Sequence, residues 1–226
     1  SAVAYYFGKK LHQELGVPVG IIQRAFAGTP IEGWMPLEIQ KDDTRTRAHK
    51  ERIETFAERR SRNQGETQEK AFAVFKKELG EYNSRIDAGQ TMKNALKPLA
   101  PPIITRPGTL GHQYPANIFN AMIYPIRPYG IRGIIWYQGE RNSKDAAQAF
   151  HYRGQLAKLI GYYRTSWHKL SGGHVAKDFP FQFTQLPSWN PPQAKPVEEL
   201  EATWAVNREA MRLVANEVPN TALAVS

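Results

Sequence analysis

Four short, continuous apolar runs separated by helix-length segments constrain this chain more than any other feature. They are Val19-Gly20-Ile21-Ile22, Ile131 to Tyr137, Phe179 to Leu186 and Thr221 to Val225. Apolar residues on consecutive rather than alternate positions suit strands buried on both faces, the usual state in parallel sheets. Between the runs, residues 143–169 place Ala149, Tyr152, Leu156, Leu159, Tyr163 and Trp167 on one helical face. Residues 198–218 do the same with Leu200, Trp204, Met211, Val214 and Val218. Residues 1–15 read as an amphipathic helix through Ala4, Phe7, Leu11 and Leu15, with Gly16 at the position after its end. Strands joined through helices imply parallel pairing and right-handed crossovers. The expected fold is therefore α/β, a three-layer α/β/α sandwich around a mainly parallel sheet.

Residues 41–97 break this rhythm. They are charged, helical and thinly apolar, with a narrow stripe of Phe72, Phe75, Leu79, Tyr82 and Ile86. Asn63-Gln64-Gly65 reads as a turn, so the segment is expected to be a helical hairpin inserted between the first two strands. A connector with Pro98, Pro101, Pro102 and Pro107 follows. At ~150 residues per domain, residues 1–226 form one domain carrying this insertion. Ser1 reads as the first turn of a helix and Ala222 to Ser226 as a strand cut at its end. The expectation is a domain incomplete at both ends.

Composition narrows the chemistry. With 0 Cys, disulfides, iron–sulfur clusters, thiolate zinc sites and Cys nucleophiles are excluded. No two of the six His residues stand at metal-ligand spacing, so neither a metal nor another cofactor is expected. No apolar run approaches the ~20 residues of a membrane-spanning helix, and no membrane partner is expected. The net charge is +9, and residues 41–106 hold 15 basic and 10 acidic residues. The signs interleave, as in Lys50-Glu51-Arg52 and Glu58-Arg59-Arg60, a pattern of solvated helices. A nucleic-acid surface would instead gather its cations on one stripe with stacking aromatics, so no nucleic-acid partner is expected.

Two loops at strand ends carry the candidate chemistry, because ligands of open α/β sheets bind at the carboxyl ends of strands. The first is Ala25-Phe26-Ala27-Gly28-Thr29-Pro30-Ile31-Glu32-Gly33-Trp34. Gly28 either brings a backbone N–H close to a substrate oxygen or simply supplies a tight turn. The second is Trp136-Tyr137-Gln138-Gly139-Glu140-Arg141-Asn142. The Gln138 carboxamide has two N–H groups suited to a developing oxyanion, and Glu140 can orient a neighbouring donor. Asn142, ahead of Ser143-Lys144-Asp145-Ala146, suits the N-cap of the next helix. His112, after Gly111 near the Pro-rich connector, either reaches the mouth of the same site or is an ordinary loop residue.

GVPVGII followed by AGTPIEGW, then NIFNAMIYPIRPYGIRGIIWYQGERN, PFQFTQL and VPNTALAV, together resemble the sialate O-acetylesterase family of SGNH, or GDSL-like, hydrolases. The resemblance spans nearly the whole chain and is weakest over 41–97. It implies an SGNH-like fold and a carbohydrate O-acetyl esterase, in which Ser attacks the acetyl carbonyl, His takes the proton and Asp orients His. The family's Gly-Gln-Ser-Asn-like and Asp-x-x-His-like segments have no counterpart here, which places the triad outside this chain. By resemblance, the Gly28 N–H and the Gln138 side chain are oxyanion donors, with Asn142 the competing candidate, and Glu140 orients the site. Arg24, Thr29, Arg141 and Asn142 are the expected substrate contacts. Arg24 and Arg141 replace small residues of the family pattern; they favour an acidic sugar or are solvated rim residues. The implied substrate is an acetylated carbohydrate of sialic acid or xylan type, met outside the cell or in the periplasm. The alternative is a carbohydrate-binding or structural module that kept the scaffold without the chemistry.

Overall fold

In the computed structural model of the chain, residues 2–90, 110–188, 195 and 202–225 are described, without the side chains of 60–65. The expected Pro-rich connector and Leu200 lie outside the described residues. The chain divides into two units, Ser1–Arg47 with His112–Ser226, and Ala48–Gly111.

The first unit is built on three strands, β1 (Ile134–Trp136), β2 (Phe181–Thr184) and β3 (Thr221–Ala224), all parallel and adjacent in the order β1-β2-β3. Trp136 stands beside Phe183 and Phe183 beside Leu223. Three of the four expected strands thus form where the apolar runs place them. The crossovers are the expected helices, written here as α4 (Ala146–Leu170) and α5 (Thr203–Glu217), after α1 (Ala2–Leu15), α2 (Ile31–Trp34) and α3 (Thr44–Asp87). The α4 face read from the sequence is buried throughout, from Ala149 to Trp167. Tyr152, Leu156 and Ile160 of α4 and Met211 and Val214 of α5 share one core with Phe181 and Phe183. Alternate strand residues point to opposite faces, so both helices cover the same face of the sheet. The other face leaves Ala222 and Ala224 exposed. The described residues therefore build a parallel α/β sheet with two of the three expected layers.

Arg164 of α4 locks strand entry. Its guanidinium donates to the carbonyls of Phe179 (3.0 Å), Pro219 (2.8 Å) and Asn220 (2.7 Å), joining the residues that lead into β2 and β3. A planar fork of five donors makes such a three-way clasp possible.

Two expectations change. Residues 19–22 form no strand: Ile21 and Ile22 are 48% and 44% exposed, and no described strand lies beside them. Ile21 packs instead on α1, its Cδ1 2.6 Å from where a side chain on Gly8 would begin. A strand exists through its hydrogen-bonded neighbour, which an apolar run does not supply. The hairpin of 41–97 is also replaced, by the single 44-residue helix α3, which runs through Asn63-Gln64-Gly65 without a turn. One interior Gly costs only about 1 kcal/mol, and the Glu, Gln, Lys, Arg and Ala residues around it are strong helix formers.

The start of α3 lies in the first unit and is fastened there. Asp43 caps it, its Oδ1 accepting from the backbone N–H of Arg45 (2.9 Å) and Thr46 (3.2 Å). Its other carboxylate oxygen meets His151 Nε2 of α4 at 2.6 Å. Within the second unit, α3 carries local pairs such as Lys50 with Glu54 at 3.5 Å.

Candidate active site

The two loops singled out by sequence are brought together and share one buried polar network. The second loop leaves β1 at Trp136, whose ring packs edge-on against Trp34 of the first loop at 5.7 Å. This aromatic pair sets the two segments side by side. Trp34 is fixed further, its Nε1 donating to Thr29 Oγ1 (2.8 Å) and its carbonyl accepting from Tyr163 (2.7 Å).

Asn142 is the hub. It is fully buried and ends a single 3-10 turn, Glu140–Asn142. Its Oδ1 accepts from Ile31 N–H (2.8 Å) and from Gln138 Nε2 (3.0 Å), and its Nδ2 donates to Glu32 Oε2 (2.9 Å). The capping role expected for Asn142 belongs to Asp145, whose side chain accepts from Gln148 N–H at 2.7 Å. The helix begins three residues later than the cap reading required, which leaves Asn142 free to turn inward.

Gln138 is held on every side. Its Nε2 donates to the Thr29 carbonyl (2.9 Å) as well as to Asn142, while its Oε1 accepts from Tyr152 (2.9 Å). Tyr152 in turn accepts from Trp136 Nε1 at 2.9 Å. Burial pushes the Tyr152 phenol far above its usual range, the hydrogen bond from Trp136 offsetting only part of this. The hydroxyl thus stays protonated and fixes the Gln138 carboxamide with its oxygen toward Tyr152. Both N–H groups expected to face an oxyanion are already engaged within the protein.

Glu32, inside the first motif, is a member of the network that residue type alone does not reveal. It is 3% exposed, and its carboxylate accepts from Asn142 Nδ2 and from Gln155 Nε2 (3.0 Å). No Lys, Arg or His faces it among the described residues; two carboxamides supply its hydrogen bonds. A buried carboxyl group needs such donors. The available signal was an acidic residue inside an otherwise apolar stretch, Pro30-Ile31-Glu32-Gly33-Trp34.

The remaining candidates divide by exposure. Thr29 faces inward, its hydroxyl donating to the Phe26 carbonyl (2.9 Å) and accepting from Trp34, so it closes the loop rather than offering a group to a ligand. Asn142 likewise offers none. Arg24 and Glu140 are exposed; the Glu140 carboxylate accepts from Gly139 N–H at 3.1 Å. Arg141 is half-buried and donates to Gln113 Oε1 at 2.9 Å. Gly28 is exposed, at φ +71, a left-handed conformation that glycine adopts without penalty. Its N–H has no partner among the described residues. His112 is beside it, its ring against Phe26 with centroids 4.9 Å apart and the planes tilted by 34°.

The family model "Carbohydrate esterase, sialic acid-specific acetylesterase" matches residues 107–223, just over half of the chain. The chain belongs to this family. The esterase family has an SGNH-like α/β fold, to which the parallel sheet with its helical crossovers conforms. Among curated proteins, the chain is 26% identical over 226 residues to a sialate O-acetylesterase of Rattus norvegicus, covering 100% of this chain and 36% of that protein. It is 25% identical to sialate O-acetylesterases of Mus musculus and Homo sapiens, covering all of this chain and 36% and 33% of theirs. The chain spans about a third of the length of the curated relatives it matches. No group of three or more His, Asp or Glu residues among those described is arranged to hold a metal ion.

Proposed function

We propose that the chain supplies the substrate-side framework of a carbohydrate O-acetyl esterase acting on acetylated sialic acid outside the cell or in the periplasm. The Ser-His-Asp triad is contributed by polypeptide beyond these 226 residues. Membership of the acetylesterase family carries this reading, and the joined GTPIEGW and WYQGERN loops support it. In the reaction, a Ser oxygen attacks the acetyl carbonyl while His accepts its proton. The free N–H of Gly28 donates to the resulting oxyanion. Gln138 acts at one remove: by holding the Thr29 carbonyl it fixes the turn that presents Gly28. Glu140 holds the Gly139 N–H and with it the course of the second loop.

A second reading, a carbohydrate-binding module without catalysis, is favoured by one observation: the Gln138 carboxamide has no N–H left for an oxyanion. Hydrolysis of an aryl acetate separates the two. The isolated 226-residue chain is expected to be inactive. A longer polypeptide carrying the Gly-Gln-Ser-like and Asp-x-x-His-like segments is expected to turn over and to be silenced by a Ser-directed phosphonate. A longer polypeptide that binds acetylated sugar without hydrolysing it would decide for the module. Ester turnover by the isolated chain, abolished by the phosphonate, would show a nucleophile within it.

A further inference from the structure

His112 enters the first unit beside the Gly28 turn, and its backbone is fixed there by contacts that leave its ring unused. A side chain on Gly33 would begin 3.1 Å from the His112 carbonyl, so the segment at 112–116 packs closely on α2 at this glycine. Ala116 N–H then donates to the Glu32 carbonyl at 2.9 Å, which ties the segment to the buried network. The imidazole lies on Phe26, and its Nε2 is 4.0 Å from the position of a Gly28 Cβ. Neither ring nitrogen has a hydrogen-bond partner among the described residues. The neighbouring residue, Gln113, holds one arm of the Arg141 guanidinium and leaves its other donors uncommitted. The nearest acid in sequence, Glu140, is turned to its own loop. Through Gln113 and Phe26, an unpaired imidazole, a partly committed guanidinium and a free backbone N–H are thus linked, and among the described residues no carboxylate pairs with them.

We propose that His112 and Arg141 form the edge of the site that reads the carboxylate of an acidic sugar, beside the Gly28 N–H. This deepens the esterase reading and rests on it. Arg supplies the charge and planar donors that suit a carboxylate. His112 adds an N–H donor, its ring held by the tilted contact with Phe26. A neutral acetylated sugar of xylan type has no group for this edge.

The test uses the 226-residue chain, with imidazole and amide resonances followed by NMR during titration with N-acetylneuraminate and with its methyl ester. The acid is expected to shift the Gly28 amide and the His112 ring, and the ester to bind roughly 10-fold more weakly, the scale of a lost hydrogen bond to a charged group. His112→Gln and Arg141→Gln are each expected to weaken the acid by ~3- to 10-fold and leave the ester unchanged. Equal binding of acid and ester, or equal loss of both in the variants, overturns the proposal. So does a Gly28 shift without a His112 shift, which leaves the sialate reading standing. If neither ligand moves either residue, the substrate reading fails and the proposal with it. His112→Ala checks that the effect follows loss of the ring; Gln keeps polar bulk should Ala disturb the amide spectrum.

Discussion

Replacing Asn142 by alanine separates a hub from a helix cap. Loss of an N-cap costs about 1 kcal/mol. The structure asks for more, because three partners lose a hydrogen bond together in a buried site. Ile31 N–H loses its acceptor, Gln138 Nε2 keeps only the Thr29 carbonyl, and Glu32 Oε2 loses its donor while Gln155 still serves Oε1. A buried polar group left without its partner costs roughly 1–3 kcal/mol, more for a charged one. Partial relaxation of Gln138 offsets some of this, and the expected loss is about 3–5 kcal/mol. Urea unfolding followed by tryptophan fluorescence measures it, with Trp34 and Trp136 on the two loops as reporters. A loss near 1 kcal/mol with the native near-UV spectrum retained would refute the hub. Asn142→Asp adds a second test. It removes the donor to Glu32 and sets two carboxylates in contact, so one must take a proton to stay buried. Both variants are expected to regain stability as pH falls, since each leaves the Glu32 carboxylate short of a donor, and Asn142→Asp by more because of its added charge.

Asp43→Ala removes the cap of α3 and is expected to cost about 0.5–2 kcal/mol at pH 7. Burial resists ionisation of Asp43, but hydrogen bonds from His151, Thr46 and Arg45 outweigh it and hold its carboxyl below the usual range. Its contribution is thus present above the unfolded value and lost as pH falls through the folded one, so the gap between Asp43→Ala and wild type should shrink below about pH 4, as read by thermal melts across pH. Arg164→Lys is expected to cost about 2–4 kcal/mol, since one ammonium cannot reach three carbonyls placed for a fork; an unchanged urea midpoint would show that the clasp is idle. Asn207 on α5 is fully buried, and neither atom of its carboxamide has a partner among the described residues. Asn207→Leu, close in size, is therefore expected to raise stability by about 1–2 kcal/mol, and a lower melting temperature would contradict this.

The parts of the fold that were legible are those in which burial alone decides. The stripe from Ala149 to Trp167 repeats at helical spacing because one face of α4 meets the sheet, and such a face writes itself into the sequence. The runs around Trp136, Phe181 and Thr221 became strands because neighbours were present on at least one side. Residues 19–22 have the same composition and failed for want of a described neighbour, a property of the rest of the chain rather than of Ile21 or Ile22. Asn63-Gln64-Gly65 misled in the opposite sense. Its residues are common in turns, yet nothing among them forbids a helix as proline would, so the flanking helix formers carried α3 through.

The candidate site was legible as two places and not as one network. Residue type located Gly28, Gln138 and Asn142, because a glycine in a turn and carboxamides at a strand end are unusual locally. Their roles depended on groups over a hundred positions away. The Asn142 side chain meets Ile31 and Glu32, and the Gln138 side chain meets Thr29; no local spacing encodes those pairings. The consequence is a division of labour between buried and exposed residues. The conspicuous polar groups, Gln138, Asn142 and Glu32, satisfy one another and hold two loops at a fixed separation, where a mispaired group would be costly. Among the described residues, the groups left open around the two loops include less conspicuous ones: the backbone N–H of Gly28, the imidazole of His112 and part of the Arg141 guanidinium. A rigid interior network presenting a small, unpaired exterior is what a binding edge requires. Hence substitutions at Glu32, Gln138 and Asn142 should register first in stability, and those at His112 and Arg141 in ligand discrimination.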